Sequence, residues 1–168
     1  MEISRLDTKR QTPSWGAGAG MPSEITKIGL AVIDRDRLLL VRKRGSDFLI
    51  LPGGKPERNE SDAQALSREL EEELGCRLVS DQLKFLGTFS DEAAGMPGVR
   101  VTIKLYTGAL IGTPMPHAEI ESVVWWTRTA HPESSLAPSL RNSILPFLHK
   151  LDCERDQEQR LRKAARPR

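Results

Sequence analysis

The chain has little with which to build a covalent or zinc-based scaffold. Its 168 residues include only two cysteines, Cys76 and Cys153, and three histidines. The cysteines form no disulfide framework and have no metal-ligand spacing, which suits a reducing compartment such as the cytoplasm. The opening MEISRLDTKRQTPSW lacks the apolar core of a secretory signal. No apolar run approaches the ~20 residues that a membrane span needs. Charge of one sign is lacking too. With 25 basic and 23 acidic residues the net charge is +2, so composition makes no case for a nucleic-acid or membrane partner. Internal repeats are absent. What remains is a soluble chain, 38% hydrophobic and 29% charged, of a length suited to one domain with a full core.

Three regions are expected. Residues 1–23, with the linker-like GAGAG at 16–20, read as a flexible leader. Residues 24–151 read as the folded domain. Residues 152–168 form a charged tail that either extends the last helix or is disordered. Five basic groups close it (Arg160, Arg162, Lys163, Arg166, Arg168), a cluster that reads as a solvated end rather than a phosphate-binding arm.

Within the domain, residues 25–34 (ITKIGLAVID) have the pattern of a strand, and 37–43 (RLLLVRK) of its hairpin partner. The apolar run FLIL stops at Pro52, Gly53 and Gly54. Residues 61–74 are predicted to be helical, capped by Ser61 or Asp62, with Ala63, Leu66, Leu70 and Leu74 as an apolar stripe and Gly75 ending the helix. KFLGTFS and VRVTIKLYTGAL read as strands around a DEAAGMPG loop, and ESVVWWT as another. SLRNSILPFLHKL has helical periodicity, with Pro146 as a kink or boundary. Strands interrupted by one helix, with a second helix at the end, predict an α/β/α sandwich over a mixed central sheet.

The stretch RELEEELG, residues 68–75, is the chemical anomaly. Glu69, Glu72 and Glu73 share a sector of about 100° on a helix, where like charges cost roughly 0.2–0.5 kcal/mol per pair. None has a lysine at i+4, and Glu72 and Glu73 fall in the last turn, where the helix dipole is itself negative. A divalent cation removes both penalties. Clustered carboxylates with no cysteine or histidine nearby suit Mg²⁺ or Mn²⁺ rather than zinc. Just ahead lies LPGGKPERNE. There Gly53 and Gly54 let backbone approach a ligand, and Lys55 offers a point charge for phosphate.

From Gly54 through Glu60 to Arg68-Glu69-Leu70-x-Glu72-Glu73-x-Gly75, the residues match the Nudix box position by position, and the chain resembles the Nudix hydrolases, in particular the small MutT-like members. The one departure is the last position, usually aliphatic, which is Cys76. The resemblance implies that Glu69, Glu72 and Glu73 bind Mg²⁺ (or Mn²⁺) with help from the Gly53 carbonyl. It implies that Arg68 holds a carboxylate in place, with Glu60 its candidate partner. Gly54 and Lys55 would contact substrate. A further acid from outside the box is implied as base or ligand, with Glu119 the first candidate and Glu92 the second. A homodimer is likewise plausible by resemblance.

The implied reaction is metal-dependent hydrolysis of a phosphoanhydride in a nucleoside diphosphate linked to another group. After the box there is neither the proline of ADP-ribose-cleaving relatives (Asp91 lies near its offset) nor the tyrosine of dinucleoside-polyphosphate relatives. The coenzyme A and NADH signatures are missing as well. Subtraction favours nucleoside triphosphates, ordinary or oxidised, cleaved to monophosphate and pyrophosphate. Nucleotide sugars including ADP-ribose come second, and a non-catalytic nucleotide sensor or an RNA 5′-end hydrolase rank below both. Phe48, Tyr106, Trp125 and Trp126 could each stack on a base, although core packing is the better reading for all four.

Overall fold

The computed structural model describes residues 24–164. The leader at 1–23 and the last four residues, Arg166 and Arg168 among them, lie outside that range. Strand β1 (Glu24–Ala31) pairs in parallel with β7 (Arg100–Thr107), which pairs antiparallel with β6 (Lys84–Glu92). In a second sheet, β3 (Arg37–Lys43) is flanked by the short strands β2 (Ile33–Asp34) and β4 (Leu49–Ile50) and by β9 (Ile120–Trp126), all antiparallel. Strands β5 (Arg77–Leu78) and β8 (Leu110–Ile111) form a small third pair.

The hairpin expected from residues 25–43 is therefore only partly right. Its turn exists, but only Ile33–Asp34 pairs with β3, while β1 joins the other sheet. The reason is burial. Ile28, Gly29, Leu30 and Ala31 are all buried, so both faces of β1 need cover, and a parallel partner about 75 residues away leaves no local signal. The 91–98 loop is also shorter than read, since Asp91 and Glu92 complete β6.

Alternation along β3 builds the layers. Leu39 and Val41 face helix α1 (Asp62–Leu74), packing with Ile28, Leu66, Leu70 and Leu74. Leu38 and Leu40 face the other way, toward Leu140, Ile144 and Leu148 at the start of the C-terminal helix. The two neighbouring tryptophans divide similarly. Trp126 is buried on the second side, while Trp125 packs against the first with the Arg37 guanidinium 5.3 Å from its ring centroid. The result is the α/β/α sandwich expected.

Helix α1 starts with a capping box between Ser61 and Gln64 and ends on Gly75 in the left-handed region (φ 64°). Ala65 rather than Ala63 completes its buried stripe. The second helix is prefaced by a π-helical segment, Leu140–Ile144, and then runs as α2 over Leu145–Ala164, through the start of the charged tail. Pro146 stands at its second position, so the change from π to α helix falls at the proline, which has no N–H to give to the preceding turn.

Candidate active site

Glu73 is the anchor of the carboxylate group. It is 1% exposed, and its Oε2 accepts the Gly53 N–H at 3.1 Å. Lys43 Nζ lies 3.1 Å from its Oε1, close enough for an ion pair, yet Oε1 has no hydrogen-bond partner among the described residues. Burial raises the Glu73 pKa despite the Gly53 and Lys43 contacts. Gly53 permits this approach through a φ of 126°, and a Cβ there would stand 2.4 Å from the Ile28 carbonyl oxygen. The neighbouring carbonyls of Pro52 and Gly54 accept the N–H groups of Leu30 and Ile28, tying the Pro-Gly-Gly turn to β1.

Glu69 lies against Gly54, where a Cβ would come within 2.1 Å of its Oε1. Arg68 links the remaining acids. Its Nε and Nη2 donate to Glu60 at 2.8 and 2.9 Å, and its Nη1 donates to Glu69 at 3.1 Å and Glu72 at 3.3 Å. The paired guanidinium holds Glu60 down to about pKa 2, and raises that of Arg68 itself. Glu60 is thus the partner that Arg68 takes. Glu72 is the most open of the three box glutamates, its side chain 55% exposed.

Of the two outside acids, Glu119 is the one brought to this site. It directly precedes β9, and Lys43 Nζ donates to its Oε1 at 2.7 Å, which lowers its pKa. Burial disfavours the Lys43 charge, but Glu119 and Glu73 outweigh it and its pKa is raised. Glu92 is occupied elsewhere, accepting the Gly98 N–H at the tip of its own hairpin. Lys55 is exposed and touches the network through its carbonyl, which accepts Arg68 Nη2 at 3.4 Å.

Two residues were missed by sequence reasoning. Lys43 is an ordinary end-of-strand lysine until β9 brings Glu119 alongside. Lys27 lies half-buried near Lys43, and burial followed by that like charge lowers its pKa. Neither carries a local sequence signal. Both line a cleft of about 190 Å³ beside Gly53, whose far wall is apolar and includes Ile25, Met96, Val101 and Leu140. None of the four aromatic candidates lines it. Tyr106, for instance, donates to Asp62 Oδ2 at 2.7 Å at the start of α1.

Among the described residues, no three acidic, histidine or cysteine side chains converge in a ligand-like cluster. Arg68 Nη1 is shared by Glu69 and Glu72, while Glu73 is engaged by Gly53 and Lys43. The donors are nevertheless all oxygen, and the buried Oε1 of Glu73 has the Lys43 ion pair but no hydrogen bond among the described residues, so the residues fit a divalent ion.

An α/β/α sandwich carrying a carboxylate helix against a glycine turn is shared with known proteins. The NUDIX domain model matches residues 25–150. Among solved structures, a MutT NUDIX hydrolase from Burkholderia pseudomallei is 27% identical, with 66% of this chain and 88% of that one covered and a TM-score of 0.56. The E. coli ORF135 protein is 26% identical, covering 79% and 91%, at 0.56. A bifunctional NMN adenylyltransferase/ADP ribose pyrophosphatase from Francisella tularensis, complexed with AMP and a Mn ion, shares the fold at 21% identity, 79% and 43% coverage and 0.58. No curated protein matches the chain. The chain belongs to the Nudix hydrolase family and is a nucleotide pyrophosphohydrolase. No helix among the described residues is long and apolar enough to cross a membrane.

Proposed function

We propose that the protein hydrolyses nucleoside triphosphates, ordinary or oxidised, to monophosphate and pyrophosphate with Mg²⁺ or Mn²⁺. The observation that carries this reading is the junction at Gly53. On one side stand the linked carboxylates, and on the other a lysine-lined cleft whose apolar wall suits a nucleoside.

Glu69, Glu72, Glu73 and the Gly53 carbonyl would hold the ion. When bound, a divalent ion neutralises charge on the phosphate oxygens and lowers the pKa of a coordinated water. The side chains do the rest. Arg68, clamped by Glu60, sets the directions of Glu69 and Glu72. Lys43 balances Glu73 and orients Glu119, which stays ionised and accepts the proton of the attacking water. Lys27 and Lys55 meet the phosphates, and Gly54 leaves room for Glu69 beside them.

The test is a hydrolysis panel with Mg²⁺ and, separately, Mn²⁺, covering ordinary and oxidised nucleoside triphosphates, ADP-ribose, nucleotide sugars, dinucleoside polyphosphates and capped RNA. Products are identified by chromatography, with Glu72→Gln as control. Triphosphate cleavage to monophosphate and pyrophosphate, lost in the variant, supports the reading. Faster cleavage of ADP-ribose or a nucleotide sugar replaces the substrate while keeping the machinery. No turnover with either metal sinks the proposal and favours a nucleotide-sensing role.

A further inference from the structure

The turn that carries Glu119 is fastened to both elements beside it. The Ile120 N–H donates to the His117 carbonyl at 2.9 Å, closing a turn with Ala118 and Glu119 at its centre. Toward helix α1, the His117 N–H donates to the Glu73 carbonyl at 2.9 Å and the Met115 N–H to that of Leu74 at 3.2 Å. The segment thereby satisfies carbonyls that the last turn of the carboxylate helix leaves free. Toward β3, the Arg44 N–H donates to the Glu119 carbonyl at 3.0 Å.

Two irregularities meet at this turn. The β3–β9 register slips between Arg42 and Lys43: Arg42 lies opposite Ser122, Lys43 opposite Ile120, and Glu121 is left over. A bulge of this kind re-aims side chains at the end of a ladder. Without it, Lys43 would lie opposite Glu121 instead of next to the turn that holds Glu119. Ala118, moreover, is held in the left-handed region at φ 47°, at the first central position of the turn, where glycine is the unstrained residue. Alanine has no polar side chain to bond its own backbone there, so its neighbours must impose the conformation. Arg44 is placed to do so, because its Nη2 donates to the Ala118 carbonyl. That carbonyl belongs to the peptide entering Glu119, and its direction sets how the glutamate leaves the turn. One residue thus binds the carbonyls on both sides of the Glu119 Cα, one with its guanidinium and one with its main-chain N–H.

We infer that Arg44 is a positioning residue for the hydrolysis: through the Ala118 carbonyl it holds the strained turn in the orientation that presents Glu119 to Lys43 and the carboxylate helix. This rests on the reading of Glu119 as the proton acceptor given above. The two cations divide the work. Lys43 supplies the ion pair to the Glu119 carboxylate at 2.7 Å, and Arg44 fixes the backbone from which that carboxylate extends. Removing the Arg44 side chain leaves the ion pair and the main-chain bond available but frees the peptide ahead of Glu119.

The test uses the full chain and begins without substrate. Hydrogen exchange read by mass spectrometry follows the peptide spanning Met115 to Ile120. Arg44→Ala is expected to speed exchange there roughly tenfold or more and to leave β7 unchanged. Equal exchange in the variant overturns the holding role. Kinetics follow, with Mg²⁺ and the panel nucleotide that the wild type cleaves fastest. Arg44→Ala is expected to lower kcat about tenfold or more with KM within about twofold of wild type. Glu119→Gln is expected to lower kcat about 100-fold or more. In that background Arg44→Ala should cost no more than about twofold, because no base is left to position. Wild-type kcat in Arg44→Ala, or its full loss repeated in the Glu119→Gln background, overturns the inference and leaves the proposed reaction standing. Wild-type kcat in Glu119→Gln, or no turnover of any panel nucleotide, removes the reading beneath the inference, which then falls whatever the exchange shows.

Discussion

The guanidinium of Arg68 grips the Glu60 carboxylate through two hydrogen bonds, of 2.8 and 2.9 Å, eight residues apart along the chain. With Nε and Nη2 engaged, Nη1 is left aimed at Glu69 and Glu72. Lysine can make a single point contact but not this fork. On the proposed metal-binding role of Glu69 and Glu72, Arg68→Lys and Glu60→Gln are both expected to weaken activation by a divalent ion roughly tenfold or more. The melting temperature should change little. A large thermal loss with unchanged metal dependence would show the pair to be structural only.

Gly54 tests the carboxylate cradle more sharply. Since a Cβ would fall 2.1 Å from Glu69 Oε1, Gly54→Ala must displace that carboxylate. A displacement on this scale is expected to cost about 100-fold in kcat. Steady-state kinetics beside a circular-dichroism melt separate the effect from unfolding, and wild-type kcat in the alanine variant would contradict the placement of Glu69.

Lys43 is the only cation that the structure places against the buried Glu73 carboxylate at ion-pair distance among the described residues. Lys43→Met is expected to destabilise the fold by about 1–3 kcal/mol, toward the low side of the cost of breaking a buried pair, because Lys43 is itself partly exposed. Adding Glu73→Gln should restore part of that loss in chemical denaturation, since no buried charge is then left unpaired. An additive double variant would argue against the pairing.

The cluster at the start of α1 gives pH dependence of known sign. Burial disfavours ionised Asp62, but the Tyr106 hydroxyl and Lys104 outweigh it and lower its pKa. Its stabilising effect is therefore fully present above the unfolded value of about 3.9 and is lost as pH falls through the lower folded value. Burial, then Asp62, raises the Tyr106 pKa to about 12. That contribution holds below the unfolded value of about 10 and disappears as pH rises through about 12. Asp62→Asn is expected to cost about 1 kcal/mol at pH 7 and progressively less below pH ~4 in denaturant titrations. A difference that persists at low pH would mean the carboxylate charge is not what matters.

Much of α1 and the turn before it was legible because the signals are local. Ser61, Gln64 and Gly75 mark the helix ends through bonds that span three or four residues, and helical periodicity alone places Glu69, Glu72 and Glu73 on one side. The spacing from Gly54 to Gly75 carried the resemblance to the Nudix hydrolases, and that resemblance implied the fold class and the reaction class. The tertiary structure decided everything that depends on distant partners. Nothing near Lys43 in the chain announces Glu119, 76 residues later, and nothing in β1 announces its parallel pairing with β7. Burial of Glu73, the contact of Glu119 with Lys43, and the exclusion of the four candidate aromatic residues from the cleft all follow from how the two sheets pack. Local hydrogen bonding and periodicity are written residue by residue, whereas electrostatic pairing and cleft shape exist only once separate strands have been brought side by side.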